Sequence, residues 1–256
     1  DLLDVILEEK DFGETPVWIN MPSSELITRF TLLPPVNDKV ASNLIKQECE
    51  KRIPLELDTL CVESWIAPYD PDAVTGRPVV VTAVKKSVIE ERLEALRLEG
   101  GLNIVGMQAD PIALVNLVAV EFAEELGQEL EDEERSPTIA LFHCGAESTV
   151  SILVSRNAHW VWNVDFGGED LTGRVARALK KNRAESEPIK CNPHQLEFPA
   201  SEYRLIEDRL DLWSARVKQL IDDARGHNPA FEITATFGSG GACLTHQWFR
   251  RILLRT

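Results

Sequence analysis

The chain has 256 residues, of which 44% are hydrophobic and 27% are charged, and its formal net charge is −15. This composition is that of a folded chain with one large domain or two lobes, and it excludes general disorder. The acidic charge argues against a nucleic-acid partner and against direct binding to anionic lipid, because both ligands are negatively charged themselves.

The cysteine pattern and the lack of long apolar runs point to the cytoplasm. The five cysteines are scattered without a C-x-x-C pair, which favours a reducing compartment. Cys191 and His194 have the spacing of metal ligands, but no second pair closes a zinc site, so we assign no metal-binding residue. No apolar run approaches the roughly 18 residues of a membrane span, and residues 1–4 do not resemble a signal peptide. We expect a cytoplasmic protein that reaches the membrane only through a partner.

The first half of the chain alternates between the periodicities of strands and helices. Apolar residues at helical spacing predict that residues 1–10 are the end of a helix. The later signals predict strands over 15–20 and 26–33, a helix capped at Asn37 or Asp38 and running through Arg52, strands over 60–66 and 78–84, a helix capped by Ser87 with Glu90, a strand over 102–107 and a helix over 111–126.

An acidic connector over 127–137 separates this part from a second unit. We expect a solvated linker there, with an interaction patch as the alternative. The signals that follow predict a strand over 138–143, a hairpin of 149–155 and 159–164, a helix opened by Gly167 and Gly168, a polar stretch over 180–199, a long helix over 202–225 and a strand over 231–236. The whole is mixed α/β, with sheets covered by helices.

Two glycine-containing turns in the second unit are candidates for ligand binding. The turn over 143–149 lies between two strands, where its backbone N–H groups could hold a phosphate. The turn over 238–241 follows a strand, and its glycines would let the backbone lie against a planar ligand or a phosphate. Either turn on its own is explained better as a simple chain reversal.

The order of these elements resembles the second lobe of the actin-like superfamily, which includes actin, Hsp70, FtsA and PilM. The segments ITRFTLLPPVNDKVASNLIKQECEKRIPLELDTL, PVVVTAVKKSVIEERLEALRLEGGLNIVGMQADPIAL and WNVDFGGEDLT are similar to the PilM family in the same order. The resemblance implies an actin-like, ribonuclease H-like lobe with an inserted SHS2-type subdomain. It divides the chain into the end of a first-lobe helix (1–14), the SHS2-like subdomain (15–110), a helix and acidic linker (111–136) and an apparently incomplete second lobe (137–256).

The resemblance also implies a site for ATP and magnesium. The positions that match the family's second phosphate loop, helix start, ribose and adenine contacts and adenosine loop are Gly145, Thr149, Gly167, Gly168, Glu187, Lys190, Gly238, Gly240 and Gly241. For Glu187 and Lys190, an ordinary solvated pair on a helix is an equal alternative, because Pro188 between them departs from the family.

Two departures weaken the implied enzyme. His143 stands where the family's second phosphate loop has an aspartate, and imidazole is a poor ligand for magnesium. The first phosphate loop of the family is missing before residues 1–10, so either the sequence starts late or the protein lacks half of the phosphate clamp, and the C-terminus also looks short. We assign no catalytic residue, predict weak or absent hydrolysis, and leave open whether nucleotide binds.

The expected function is that of an adaptor in type IV pilus or secretion machinery. The resemblance implies that the protein captures the cytoplasmic tail of an inner-membrane partner, PilN, and we place the groove near the edge formed by residues 15–33. Self-association into a homo-oligomer stays open. The alternatives are an active ATPase of the same fold and an FtsA-like filament protein. The FtsA-like alternative needs an amphipathic membrane helix over residues 246–256, whereas this short segment favours a docked helix.

Overall fold

The computed structural model describes residues 14–69, 76–100, 102–132, 134–195 and 199–253. The predicted helix over 1–10 lies outside these residues. Contacts divide the chain into a first unit, Asp1–Leu114, and a second unit, Val115–Thr256. The finer division into four segments stays a prediction.

The first unit alternates strands with helices in the predicted order. Its elements are β1 (Val17–Met21), β2 (Ile27–Leu33), α1 (Asp38–Arg52), β3 (Leu60–Ile66), β4 (Arg77–Lys85), α2 (Lys86–Gly100), β5 (Ile104–Ala109) and the start of α3 (Asp110–Glu121). Strands β2, β4 and β3 form an antiparallel sheet in that spatial order, whereas β1 and β5 pair in parallel.

Helix α1 is fixed by its cap and by one apolar face. The side chain of Asn37 accepts a hydrogen bond from the N–H of Val40, as the sequence predicts. Ala41, Ile45 and Cys49 are buried on the inner face of the helix and belong to one core cluster with residues of the antiparallel sheet. The chain order β2, α1, β3, β4 is strand, helix, strand, strand, which is consistent with the SHS2-type prediction.

The second unit is built around one four-stranded sheet. Its elements are α4 (Ala123–Leu126), β6 (Ser136–Cys144), β7 (Thr149–Ser155), β8 (His159–Val164), α5 (Gly168–Leu179), α6 (Arg183–Cys191), α7 (Pro199–His227), β9 (Phe231–Ser239) and α8 (Trp248–Leu253). The spatial order of the strands is β8, β7, β6, β9, and only the β6–β9 pair is parallel. Every residue of β7 is buried, because this strand is central in the sheet.

Three local predictions are corrected by the structure. Ser87 is not a helix cap, because β4 pairs with β3 through Lys85 and α2 begins at the next residue. The helix predicted over 111–126 is interrupted at Phe122 and continues as the short helix α4. The stretch predicted as a polar connection contains helix α6, which begins at Arg183 and is capped by Asn182.

Candidate functional site

The turn between β6 and β7 forms the platform on which helix α5 begins. The N–H of Gly145 donates to the carbonyl of Ser148 at 2.9 Å, which closes the turn. The N–H groups of Gly168 and Glu169 donate to the carbonyls of Gly145 and Ala146, at 3.0 and 2.8 Å. The first amides of a helix lack partners within the helix itself, so the turn supplies these two with acceptors.

Gly167 and Thr149 hold the chain just before helix α5. A Cβ atom at Gly167 would lie 2.2 Å from the carbonyl oxygen of Ala146, so only glycine allows the close approach. Thr149 is fully buried, and its hydroxyl donates to the carbonyl of Phe166 at 2.7 Å. Both residues therefore have a structural role in addition to any ligand contact.

The glycine-rich turn predicted over 238–241 is partly the end of strand β9. Gly238 and Ser239 still belong to the strand, and Ser239 pairs with His143 of β6, whose Nδ1 lies 2.9 Å from the serine hydroxyl. Gly240 has a φ of 88°, and a Cβ there would lie 2.2 Å from the carbonyl oxygen of Cys144. A Cβ at Gly241 would meet no described atom within 4 Å, so this glycine faces open space.

Glu187 and Lys190 form an ion pair of which only one side chain reaches solvent. The Lys190 side chain is 2% exposed, and its Nζ lies 2.6 Å from the Glu187 carboxylate and 3.4 Å from the carbonyl of Gly168. Thr172 also donates to the same carboxylate. The alternative of an ordinary solvated pair is therefore wrong for Lys190, and Pro188 is accommodated inside helix α6.

The pKa of Glu187 reflects two opposing effects. Partial burial by itself would raise the pKa, but the hydrogen bonds from Lys190 and Thr172 and the charge of Lys190 outweigh it and hold the pKa below its ordinary value. The carboxylate is therefore ionised at neutral pH and balances the buried ammonium.

The predicted nucleotide residues lie close together in the second unit. Gly145 contacts Gly168, Gly168 contacts Lys190, and a Cβ at Gly168 would lie 3.3 Å from the Cβ of Ala242, which follows the glycine turn. Among the described residues, no group of three histidine, cysteine or carboxylate side chains is placed to hold a metal ion. The contacts of the predicted residues with a nucleotide stay a prediction.

The first unit contains an apolar cleft with a volume of about 420 Å³. Its lining comes from β1, β3, β4, β5 and residues near them: Trp18, Met21, Leu26, Cys61, Glu63, Ser64, Trp65, Thr82, Val84, Ile89, Met107, Gln108, Ala109 and Ile112. Three of these residues fall within the predicted edge over 15–33, while sequence reasoning missed the others. The tryptophans at 18 and 65 were the available signal, but nothing in the sequence shows that they line the same cleft.

Trp18 gives this cleft a large exposed apolar wall. The side chain is 67% exposed and pairs in register with Gly106 of β5. A Cβ at Gly106 would lie 2.5 Å from the indole, so the glycine lets the ring lie flat over the neighbouring strand. Thr82 is 7% exposed, and its hydroxyl has no hydrogen-bond partner among the described residues. The cleft thus combines apolar walls with a few polar side chains, of which Thr82 is one.

The last described helix, α8, packs against the long helix α7. Trp248 is 1% exposed, and its ring centre lies 5.0 Å from that of Trp213. Arg251 forms ion pairs with Glu207 and Asp211 of α7. The described part of the C-terminal segment is therefore a docked helix, as the sequence analysis favours over a membrane helix.

Comparison with known proteins places this geometry in a family. A family model described as type IV pilus assembly protein PilM matches residues 1–204. A solved PilM–PilN type IV pilus biogenesis complex aligns with a TM-score of 0.71 and 20% identity, over 93% of this chain and 67% of that chain. The predicted mixed α/β, actin-like fold is thereby confirmed.

More distant structures align less well. The archaeal actin homolog Ta0583 covers 98% of this chain and 66% of its own, at 10% identity and a TM-score of 0.48. The cytoplasmic domain of EpsL, an inner-membrane component of the type II secretion system of Vibrio cholerae, covers 70% of this chain and 61% of its own, at 14% identity and a TM-score of 0.40. None of the curated proteins matches the chain. In the part of the chain that the structure describes, no helix is both long and apolar enough to cross a bilayer.

Proposed function

Because the chain belongs to the family of type IV pilus assembly protein PilM, we propose that it is an adaptor that binds the cytoplasmic tail of a PilN-like inner-membrane partner. The occupant of the apolar cleft in the first unit would be this tail. The solved relative is a complex of PilM with PilN, which supports the choice of partner. Such an adaptor works on the cytoplasmic side and reaches the membrane through the partner.

The single observation that carries this proposal is the cleft beside the exposed indole of Trp18. A monomer leaves two thirds of this aromatic side chain in water, whereas a bound peptide would cover it. The apolar lining suits aliphatic or aromatic anchors of an extended segment. Glu63 lies at the same cleft and favours a neutral or basic segment over an acidic one.

The test is a binding titration of the full chain with a fluorescent peptide of the cytoplasmic tail of PilN. We expect Trp18→Ala to weaken binding by roughly tenfold or more, because central aromatic anchors commonly contribute 2 kcal/mol or more. Val105→Ala is the matched control, since Val105 is 50% exposed on the neighbouring strand β5 but does not line the cleft. Equal affinity of both variants, or no binding by the unmodified chain, would contradict the proposal.

We further propose that the nucleotide site in the second unit is degenerate. The nitrogen Nδ1 of His143 is within hydrogen-bond distance of Ser239, and the residues here do not fit magnesium, which prefers hard oxygen ligands. The space above Gly167 and Gly240 is filled by the protein's own backbone, and the first amides of helix α5 donate to carbonyls of the chain. These contacts support a structural role for the loops that the family uses for phosphates.

Titration with Mg-ATP, with phosphate release followed in parallel, tests this second proposal. We expect no phosphate release above that of a heat-denatured sample. His143→Asp restores the family's carboxylate and shows whether this position alone limits the reaction. Clear turnover by the unmodified chain would refute the degenerate site and favour the ATPase alternative.

A further inference from the structure

Two histidines far apart in the sequence meet in the second unit. His194 lies in the short helical turn Pro193–Gln195, and His246 precedes helix α8. Their Nε2 atoms are 3.1 Å apart, and the ring planes are inclined by 87° with centres 4.5 Å apart. The rings therefore present two ring nitrogens to one small volume at the protein surface.

This separation suits two ligands of a single metal ion. A nitrogen ligand lies about 2.0–2.1 Å from zinc, so two imidazoles at a tetrahedral angle have their nitrogens roughly 3.3–3.4 Å apart. When the nitrogen–metal–nitrogen angle is a right angle, the same bond lengths place the two nitrogens roughly 2.9 Å apart. The observed 3.1 Å lies between these limits, so an ion could enter without separating the two turns.

The neighbouring residues hold His246 in place. The N–H of His246 donates to the carbonyl of Lys190 at 3.3 Å, and the ring centre of Tyr203 lies 5.3 Å from that of His246. Gln247 has a φ of 59°, a left-handed conformation that costs energy in a residue other than glycine. Its side-chain amide nitrogen lies 3.3 Å from Nε2 of His246, and its amide oxygen accepts a hydrogen bond from the hydroxyl of Tyr203.

We propose that His194 and His246 form a surface binding site for a divalent late transition metal ion such as Zn²⁺ or Cu²⁺. Imidazole nitrogens select this class over Mg²⁺ and Ca²⁺. No third histidine, cysteine or carboxylate among the described residues joins the pair, so water completes the coordination. The bound ion ties the turn after helix α6 to the turn before helix α8. This site is independent of the partner cleft and of nucleotide binding.

The test is calorimetric titration of the full chain with ZnCl₂, with no nucleotide or partner present. We expect one equivalent of zinc to bind. Each of the variants His194→Asn and His246→Asn should bind zinc at least about tenfold more weakly, because even the loss of a residue that only supports a metal ligand costs about tenfold in affinity. His227→Asn is the control. His227 is the last residue of helix α7 and lies about 36 Å along that helix from Tyr203, which is next to His246. Circular dichroism of the metal-free variants checks that they fold.

A second readout identifies the ligands directly. The electron paramagnetic resonance spectrum of the Cu²⁺-loaded chain should show splitting from two nitrogen nuclei, reduced to one in either histidine variant. The absence of binding by the unmodified chain would overturn the proposal. Equal zinc affinity of the two histidine variants and the control would also overturn it, as would a copper spectrum unchanged by both substitutions.

Discussion

Removing the charge of Glu187 should destabilise the second unit more than removing the charge of Lys190. The ammonium of Lys190 is 2% exposed, and the Glu187 carboxylate is 48% exposed. Breaking a buried ion pair on one side costs about 3–5 kcal/mol, because the remaining charge is left without compensation. Since Glu187 is half in water, we expect Glu187→Gln to lower the free energy of unfolding by about 2 kcal/mol.

Removing the other partner, Lys190, leaves the partly exposed Glu187 without its ion pair. Lys190→Met replaces a buried charge by an apolar side chain of similar length, and the remaining carboxylate of Glu187 is hydrated. We expect a loss below about 1 kcal/mol. Glu169→Gln is the matched control, because Glu169 pairs with Arg183 at the surface and exposed pairs contribute about 0–1 kcal/mol.

The assay is urea unfolding followed by circular dichroism at neutral and at acidic pH. The pKa of Glu187 is lowered in the folded protein, so its stabilisation is present above the carboxylate's unfolded pKa and is lost as the pH falls through the folded pKa. The difference between the unmodified chain and Glu187→Gln should therefore shrink in acid. A larger loss for Lys190→Met than for Glu187→Gln would refute the reasoning.

Three further substitutions test the fold at single positions by thermal or urea unfolding. Asn37→Ala removes the cap of helix α1 and should cost about 1 kcal/mol; no loss would mean that the cap is dispensable. Gly240→Ala adds a methyl group against the backbone at positive φ and should cost at least about 2 kcal/mol, so a stable variant would contradict the close packing. Trp248→Ala should cost about 3–5 kcal/mol and shift the fluorescence of Trp213 to the red; an unchanged spectrum would argue against docking.

Much of the secondary structure followed from local patterns. Strand β3 (Leu60–Ile66) and the hairpin strands β7 and β8 begin and end where the sequence predicts. Helix α1 begins at the predicted cap, because the capping hydrogen bond joins the side chain of Asn37 to the N–H of Val40, only three residues away. The prediction at Ser87 failed because pairing of β4 with β3, a long-range interaction, fixes where the strand ends.

The candidate sites were predicted less completely than the fold. The family resemblance selected residues that the structure brings together around Gly168, but the burial of Lys190 depends on packing that local periodicity does not report. The cleft is assembled from strands that are neighbours only after the chain folds, such as β1 and β5. A single sequence does not show which of its strands pair with each other.

The sequence by itself determined the local elements, the acidic charge and the family, because periodicity, capping residues and motif order are written along the chain. Only the tertiary structure decided that Trp18 lies over Gly106, that His143 lies beside Ser239, and that His194 meets His246. The members of each pair are between 52 and 96 residues apart in the sequence, so sheet register and helix packing set their distances.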